Sequence, residues 1–313
     1  MTEQNRRGVL RAAVLTPLTV DLAVDVERMA AHCAALLHGG CDGVVLFGTT
    51  GEGPAFSVDE RIAAVEAVLE RGVPADRMMV GTGCTALPDT VQLTRHAAAS
   101  GCAGALIAPP FFFKSVADDG VFRAFAEVID KTDRPDLPIH LYNIPQLTGV
   151  RLSHEVIDRL VSGYPGVVVG VKDSSADWPR TLQLIRRFGA LEILVGNEAD
   201  ITRALTAGGA GTICGLANML PGLLRALCDA PGSPRAAQNQ ATIDAVVGPL
   251  LTCPVVAALK SLMAVTSGDP AWHRLRPPLT ALGKADEGRL IAALPPEALP
   301  HRPPDGTPGE PPP

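Results

Sequence analysis

The chain has 313 residues, 47% of them apolar and 19% charged, with 27 basic against 33 acidic groups and a formal net charge of −6. That much apolar surface rules out a disordered chain, because its burial offsets the entropy lost on ordering. The acidic balance argues against a nucleic-acid binder, which needs a basic face to displace counterions, and no apolar run approaches the roughly 18 residues of a membrane-spanning helix. Length alone fits two domains or one α/β barrel with an appendage. The seven cysteines form no Cys-x-x-Cys pair, and several, Cys214 among them, lie inside apolar segments. They read as small buried hydrophobes in a reducing cytoplasm.

In chain order, Arg6-Arg7 and the apolar stretch behind it faintly resemble a secretory leader. Arg11 interrupts that stretch, so it is read as a first strand over 10–15. Further strands are predicted over 43–47, 78–81, 105–108, 139–142, 167–172, 193–196 and 211–214. Helices are predicted between them over 24–37, 58–71, 89–99, 121–130, 154–161, 178–188 and 199–207, with apolar residues at three- and four-residue spacing, as in Ile62, Val65, Val68 and Leu69. Ser57 with Glu60, and Ser153 before Val156, stand where helix caps belong. Strands apolar on both faces belong to a parallel sheet covered by helices, and eight strand–helix units point to a closed (β/α)8 TIM barrel. Gly81-Thr82-Gly83 lacks the third glycine of a dinucleotide fingerprint and follows the wrong strand. Beyond Pro221 only helices are predicted, over 223–227, 241–247, 255–265 and 289–294. The expected division is a barrel over 1–230, a small C-terminal helical appendage over 231–294 and a disordered Pro-rich tail over 295–313.

In such a barrel the reactive groups sit at the carboxyl ends of strands, where the loops converge. Those ends carry Gly48-Thr49-Thr50-Gly51-Glu52-Gly53, Tyr142-Asn143-Ile144-Pro145, Val171-Lys172-Asp173-Ser174-Ser175 and Gly196-Asn197-Glu198. Lys172 is one of only five lysines and closes the run Val167-Val168-Val169-Gly170-Val171. An amine there faces a poorly solvating interior, and its neutral form is a nucleophile toward carbonyl carbon, a part arginine cannot play. The bland alternative is an ion pair with Asp173. Thr49 and Thr50 in a glycine-flanked turn could cradle a carboxylate or could merely cap the next helix. Tyr142, one of two tyrosines, could pass protons through its phenol or simply bond to backbone. The seven scattered histidines lack zinc-binding spacing, and no metal or cofactor is expected. His140 reads as a core histidine, Lys260 as a lysine snorkelling from a helix, and Phe111-Phe112-Phe113-Lys114 as a hydrophobic plug rather than a pocket wall or subunit contact.

The set Gly48-Thr-Thr-Gly-Glu52, Tyr142-Asn-Ile-Pro145 and Gly170-Val-Lys-Asp173, in this order, resembles the dihydrodipicolinate synthase/N-acetylneuraminate lyase family from about Val9 through the helical appendage. The resemblance implies a (β/α)8 barrel, usually a homotetramer, that joins a lysine to a 2-oxo acid such as pyruvate as a Schiff base. It makes Lys172 the Schiff-base lysine, Tyr142 the proton relay, Thr49 its hydroxyl partner and Thr50, with Gly48, part of the carboxylate site. Ile213 matches a residue lining the pyruvate site, and Ser174 and Glu198 fall where the neuraminate lyase branch contacts sugar-acid hydroxyls.

Two positions depart from the family pattern. Leu147 stands where dihydrodipicolinate synthases carry an arginine for the aldehyde's carboxylate, and leucine cannot make that bidentate contact. Phe112 stands where many members place a tyrosine that reaches the neighbouring subunit's site. The expectation is therefore a cytoplasmic, metal-independent class I aldolase or lyase acting on a hydroxylated, deoxy-sugar-like keto acid by cleavage, condensation or dehydration. The alternatives are a 4-hydroxy-tetrahydrodipicolinate synthase in which Lys114 replaces the arginine, and a non-catalytic barrel that binds 2-oxo acids.

Overall fold

A computed structural model describes residues 7–299. Eight parallel strands close into a barrel in sequence order, with the last paired to the first: β1 (Val9–Ala13), β2 (Gly43–Leu46), β3 (Met78–Gly81), β4 (Gly104–Ile107), β5 (Ile139–Asn143), β6 (Val168–Asp173), β7 (Glu192–Val195) and β8 (Gly211–Cys214). The helices on the outside are α1 (Val26–His38), α2 (Val58–Glu70), α3 (Leu87–Ala99), α4 (Asp118–Thr132), a single turn α5 (Pro145–Thr148), α6 (His154–Gly163), α7 (Trp178–Arg187), α8 (Ile201–Thr206) and α9 (Pro221–Asp229). Then follow α10 (Pro234–Leu250), α11 (Val255–Ser267) and α12 (Lys284–Ala293). Barrel and helices agree with the sequence reading; strand and helix ends shift by a few residues, and the short turn α5 had no periodic pattern to announce it.

Local chemistry sets the helix starts. The Ser57 hydroxyl accepts from the Glu60 N–H while the Glu60 carboxylate accepts from the Ser57 N–H, a reciprocal cap at the start of α2. Ser153 caps α6 from one side only, its hydroxyl accepting from Val156 N–H. Ser233 caps α10, and Pro234 in its first turn loses no hydrogen bond there. This cap lies ahead of the apolar pattern, so α10 begins seven residues before the predicted 241–247.

Because strand side chains alternate, each strand buries two faces. One set fills the barrel interior: Ala13, Val45, Met79, Leu106, Tyr142, Leu194 and Ile213. The other, including Leu10, Val44, Ile107, Leu141, Val171 and Ile193, packs against the helices. Deeper along the barrel, Arg11, His140 and Glu192 meet: Glu192 Oε2 lies 3.0 Å from Arg11 Nη1 and 2.9 Å from His140 Nε2. Gly170 makes room for them, since a Cβ there would collide with the His140 ring.

Past the barrel, α10 packs on α9, and Gln240 accepts from the Thr202 hydroxyl at 2.7 Å. The start of the Pro-rich segment corrects the expectation of an extended tail. Pro296–Ala298 form a 3-10 turn with Ala298 and Leu299 buried, because these two apolar side chains have a core to join. The rest of that predicted disordered tail lies outside the described residues. No single described helix is long and apolar enough to cross a membrane.

Candidate active site

Register places the central pair. Tyr142 on β5 stands opposite Lys172 on β6, one strand across the barrel wall. Lys172 is 5% exposed, and its Nζ lies 4.4 Å from the centroid of the Tyr142 ring. No carboxylate forms a salt bridge with it among the described residues. The alternative pairing with Asp173 does not occur, because Asp173 is turned to other donors. Its Oδ1 accepts from Asn143 Nδ2 at 2.7 Å, and its Oδ2 accepts from the Thr181 hydroxyl at 2.6 Å and the Ser175 hydroxyl at 3.1 Å. Adjacent residues on one strand face opposite sides, so Asp173 braces the outside while Lys172 faces in.

Gly196, at the end of β7, is a part of this site that the sequence reading did not single out. A Cβ there would collide with Ser174 Oγ and stand 3.1 Å from Lys172 Cε. A side chain here would crowd both Ser174 and Lys172 where they now lie. Asn143 is a second omission: it donates to Asp173, and its Oδ1 accepts from Leu152 N–H at 3.0 Å, locking the ends of β5 and β6 together. Its place in Tyr-Asn-Ile-Pro was visible, but its partner was not.

The tyrosine meets the turn after β2. Thr49 Oγ1 and Tyr142 Oη are 3.2 Å apart, within hydrogen-bond reach. The turn is tightly wound. Phe47 and Glu52 both adopt positive φ, near 56°, which costs a non-glycine residue on the order of 1 kcal/mol or more. Glu52 N–H donates to Thr49 O, Gly53 N–H donates to Gly48 O, and the Thr16 hydroxyl donates to Gly51 O at 2.7 Å. Gly53 has no alternative, since a Cβ there would collide with Phe47 O. Gly48 is buried, yet a Cβ on it would meet nothing within 4 Å. Open space therefore borders the turn beside Thr49. Thr50 sits across from Gly215, its Oγ1 3.5 Å from where a Cβ on Gly215 would stand.

The remaining sequence-predicted residues divide. Ile213 lies in the barrel interior in the same cluster as Tyr142. Ser174 flanks Lys172 at Gly196. Glu198 Oε1 accepts from Leu216 N–H at 3.0 Å. Burial pushes the Glu198 carboxyl above its ordinary value, opposed by the backbone N–H groups and by the positive charge of Lys172.

Two expectations are corrected. Lys260 does not snorkel; it is wholly buried, paired with the Glu52 carboxylate and donating to Arg274 O at 2.7 Å. Helical periodicity could not show the carboxylate waiting on a distant turn. The phenylalanine run is no plug either: Phe112 and Phe113 are 72% and 73% exposed, stacked edge to face on the loop before α4. Leu147 is likewise exposed, at 61%. Lys114 ties that loop to α5, donating to the carbonyls of Phe111 and Thr148. Among the described residues no group of three His, Cys, Asp or Glu side chains is placed to hold a metal ion.

A closed (β/α)8 barrel carrying a buried lysine, a tyrosine and a threonine at the carboxyl ends of β6, β5 and β2 defines a class of barrel lyases. The chain belongs to the dihydrodipicolinate synthetase family, whose model matches residues 6–295. It is similar to an uncharacterized DapA-like lyase of Chloroflexus aurantiacus, 38% identical over 293 residues covering 92% of this chain and 95% of that protein. A crystal structure described as dihydrodipicolinate synthase from Agrobacterium tumefaciens is 38% identical and superposes with a TM-score of 0.87 over 93% of this chain and 99% of that one. The crystal structure of YagE, a family member from Escherichia coli in complex with pyruvate, is 25% identical, with a TM-score of 0.81 over 91% and 96% of the two chains.

Proposed function

We propose that this chain is a class I aldolase or lyase whose Lys172 forms a Schiff base with pyruvate or a related 2-oxo acid. The observation that carries the reading is the placement of Lys172: buried, without a carboxylate partner among the described residues, and stacked on a tyrosine whose hydroxyl reaches Thr49. A lysine kept from ion pairing inside a protein is set up for nucleophilic work.

The neutral amine of Lys172 attacks the ketone carbon, and the carbinolamine loses water to give a protonated imine. Thr49 and Thr50, in the turn beside the open space at Gly48, hold the substrate carboxylate. The iminium then accepts the electron pair of the bond between C3 and C4 as an enamine, and the aldehyde leaves; run backwards, the same step condenses the two. Tyr142 carries the protons, passing them along its hydrogen bond to Thr49. Dehydration branches from the same iminium: a proton leaves C3 to give an enamine with the bond between C3 and C4 intact, and the enamine's electron pair then expels the C4 hydroxyl, which takes up a proton and departs as water.

The longer substrate is a hydroxylated keto acid. Ser174 stands beside Lys172 at Gly196, and Glu198 is near enough to feel the lysine's charge; a hydroxyl and a carboxyl are groups that bond sugar hydroxyls, while Leu147 supplies no cation for a second carboxylate. The competing synthase reading would need Lys114 in that role, but its ammonium is tethered to the carbonyls of Phe111 and Thr148 and would have to leave at least part of that tie. Borohydride reduction in the presence of pyruvate, followed by peptide mapping, tests the imine: the adduct is expected on Lys172, and its absence leaves only a binding barrel. A panel of deoxy-keto sugar acids assayed beside pyruvate with aspartate semialdehyde tests the substrate class; efficient turnover of the semialdehyde alone overturns it.

A further inference from the structure

The buried pair between Glu52 and Lys260 joins two parts of the chain with no shared secondary structure. Glu52 belongs to the turn that carries Thr49 and Thr50; Lys260 belongs to α11, beyond the barrel. Both side chains are fully buried. Replacing such a pair by apolar side chains of similar volume is often neutral or stabilising, because both charges lose their water. Fold stability alone is thus a weak reason for it to be here.

Its surroundings suggest what it does. Glu52 is held at positive φ, a conformation that persists only where the surroundings enforce it. Its second oxygen, Oε2, accepts from Arg276 N–H at 3.2 Å, so the segment after α11 grips the same carboxylate. Lys260 is anchored in turn by Arg274 O. One residue earlier, Leu259 closes on the end of β8: a Cβ on Gly215 would stand 2.9 Å from Leu259 Cδ1 and 3.5 Å from Thr50 Oγ1. Helix α11 and the segment after it therefore hold the threonine turn through the Glu52 carboxylate, while Leu259 packs at Gly215, the glycine that Thr50 also borders.

We propose that Glu52 and Lys260 are positioning residues through which α11 holds the Thr49–Thr50 turn in its substrate-binding shape. The inference rests on the proposed function, since it takes that turn to be the carboxylate site. Neither residue touches the reacting atoms; they act through the backbone of the turn.

The test uses the full-length double variant Glu52→Gln/Lys260→Met, which removes both charges together and leaves neither orphaned. The pyruvate concentration that half-saturates borohydride trapping at Lys172 is expected to rise about tenfold, while trapping at saturating pyruvate still goes to completion. A folded variant that melts at a different temperature but half-saturates at the wild-type concentration would overturn the proposal and leave a purely structural pair. Wild-type protein supplies a second measurement that needs no variant to fold. Trapped pyruvate should slow amide exchange in α11 as well as in the turn, because coupling between two sites is reciprocal; slowing confined to the turn also overturns it. Wild-type protein that gives no adduct at all would sink the proposed function, and this inference with it, whereas an adduct with unmoved half-saturation sinks this inference alone.

Discussion

The two ends of the barrel interior use the same strands for opposite purposes. Toward the amino ends, β1, β5 and β7 contribute Arg11, His140 and Glu192, and both basic groups close onto the Glu192 carboxylate. Two residues further along β5, and one strand over on β6, Tyr142 and Lys172 point into the same interior, and there the lysine meets an aromatic face instead of a carboxylate. Burial alone does not make a charged group reactive. A group closed onto its partners contributes structure, while one held apart from them keeps its lone pair for chemistry.

Substitutions at the two ends should separate these roles. The largest effect is expected for Lys172→Ala: turnover and the borohydride adduct should fall by roughly a thousandfold or more, with the circular dichroism spectrum intact. Unfolding of that variant would place Lys172 with the structural group. Next, Tyr142→Phe should slow turnover by about a hundredfold yet leave pyruvate trapping at Lys172 detectable, because the ring that packs on the amine remains. Thr49→Val should cost about tenfold, the size of one lost hydrogen bond; an effect as large as that of Tyr142→Phe would show that the threonine does more than orient the phenol.

At the closed end, Glu192→Gln should lower unfolding stability by about 1 kcal/mol, a modest figure because the carboxylate is partly exposed, and should leave the Lys172 adduct unchanged. The pH profile sharpens this. The His140 hydrogen bond, helped by Arg11, holds the Glu192 carboxyl down to about 2 from an ordinary 4.5. Its stabilisation is complete above pH 4.5 and is lost as pH falls toward 2. Burial lowers the His140 pKa below its ordinary 6.5, so protonation of that ring also favours the unfolded chain as pH falls. Urea denaturation across this range should show a shallower acid decline in Glu192→Gln than in the parent protein; an identical decline would mean that the cluster contributes nothing to acid stability.

The barrel was legible from the strand runs because a parallel strand buried on both faces is written as a short continuous apolar segment. Lys172, Tyr142 and the threonine pair were legible because each interrupts or closes such a run at its carboxyl end, where a polar group has no packing reason to be. Gly196 and Asn143 were not, although both are plain in the sequence. A glycine that leaves room for neighbouring side chains, and an amide that braces the next strand, reveal themselves only when those neighbours are in place.

The sequence by itself determined the alternation of strand and helix, the helix caps and the residue types at the strand ends, since these follow from local periodicity and from contacts a few residues apart. Tertiary structure decided which buried charges were paired and which were free. It matched Lys260 with Glu52 across more than half the chain and exposed the phenylalanines before α4. It also left Lys172 facing Tyr142 instead of Asp173. Those outcomes depend on strand register and on the closing of the barrel, which bring distant residues within a few ångströms of each other and which no local pattern encodes.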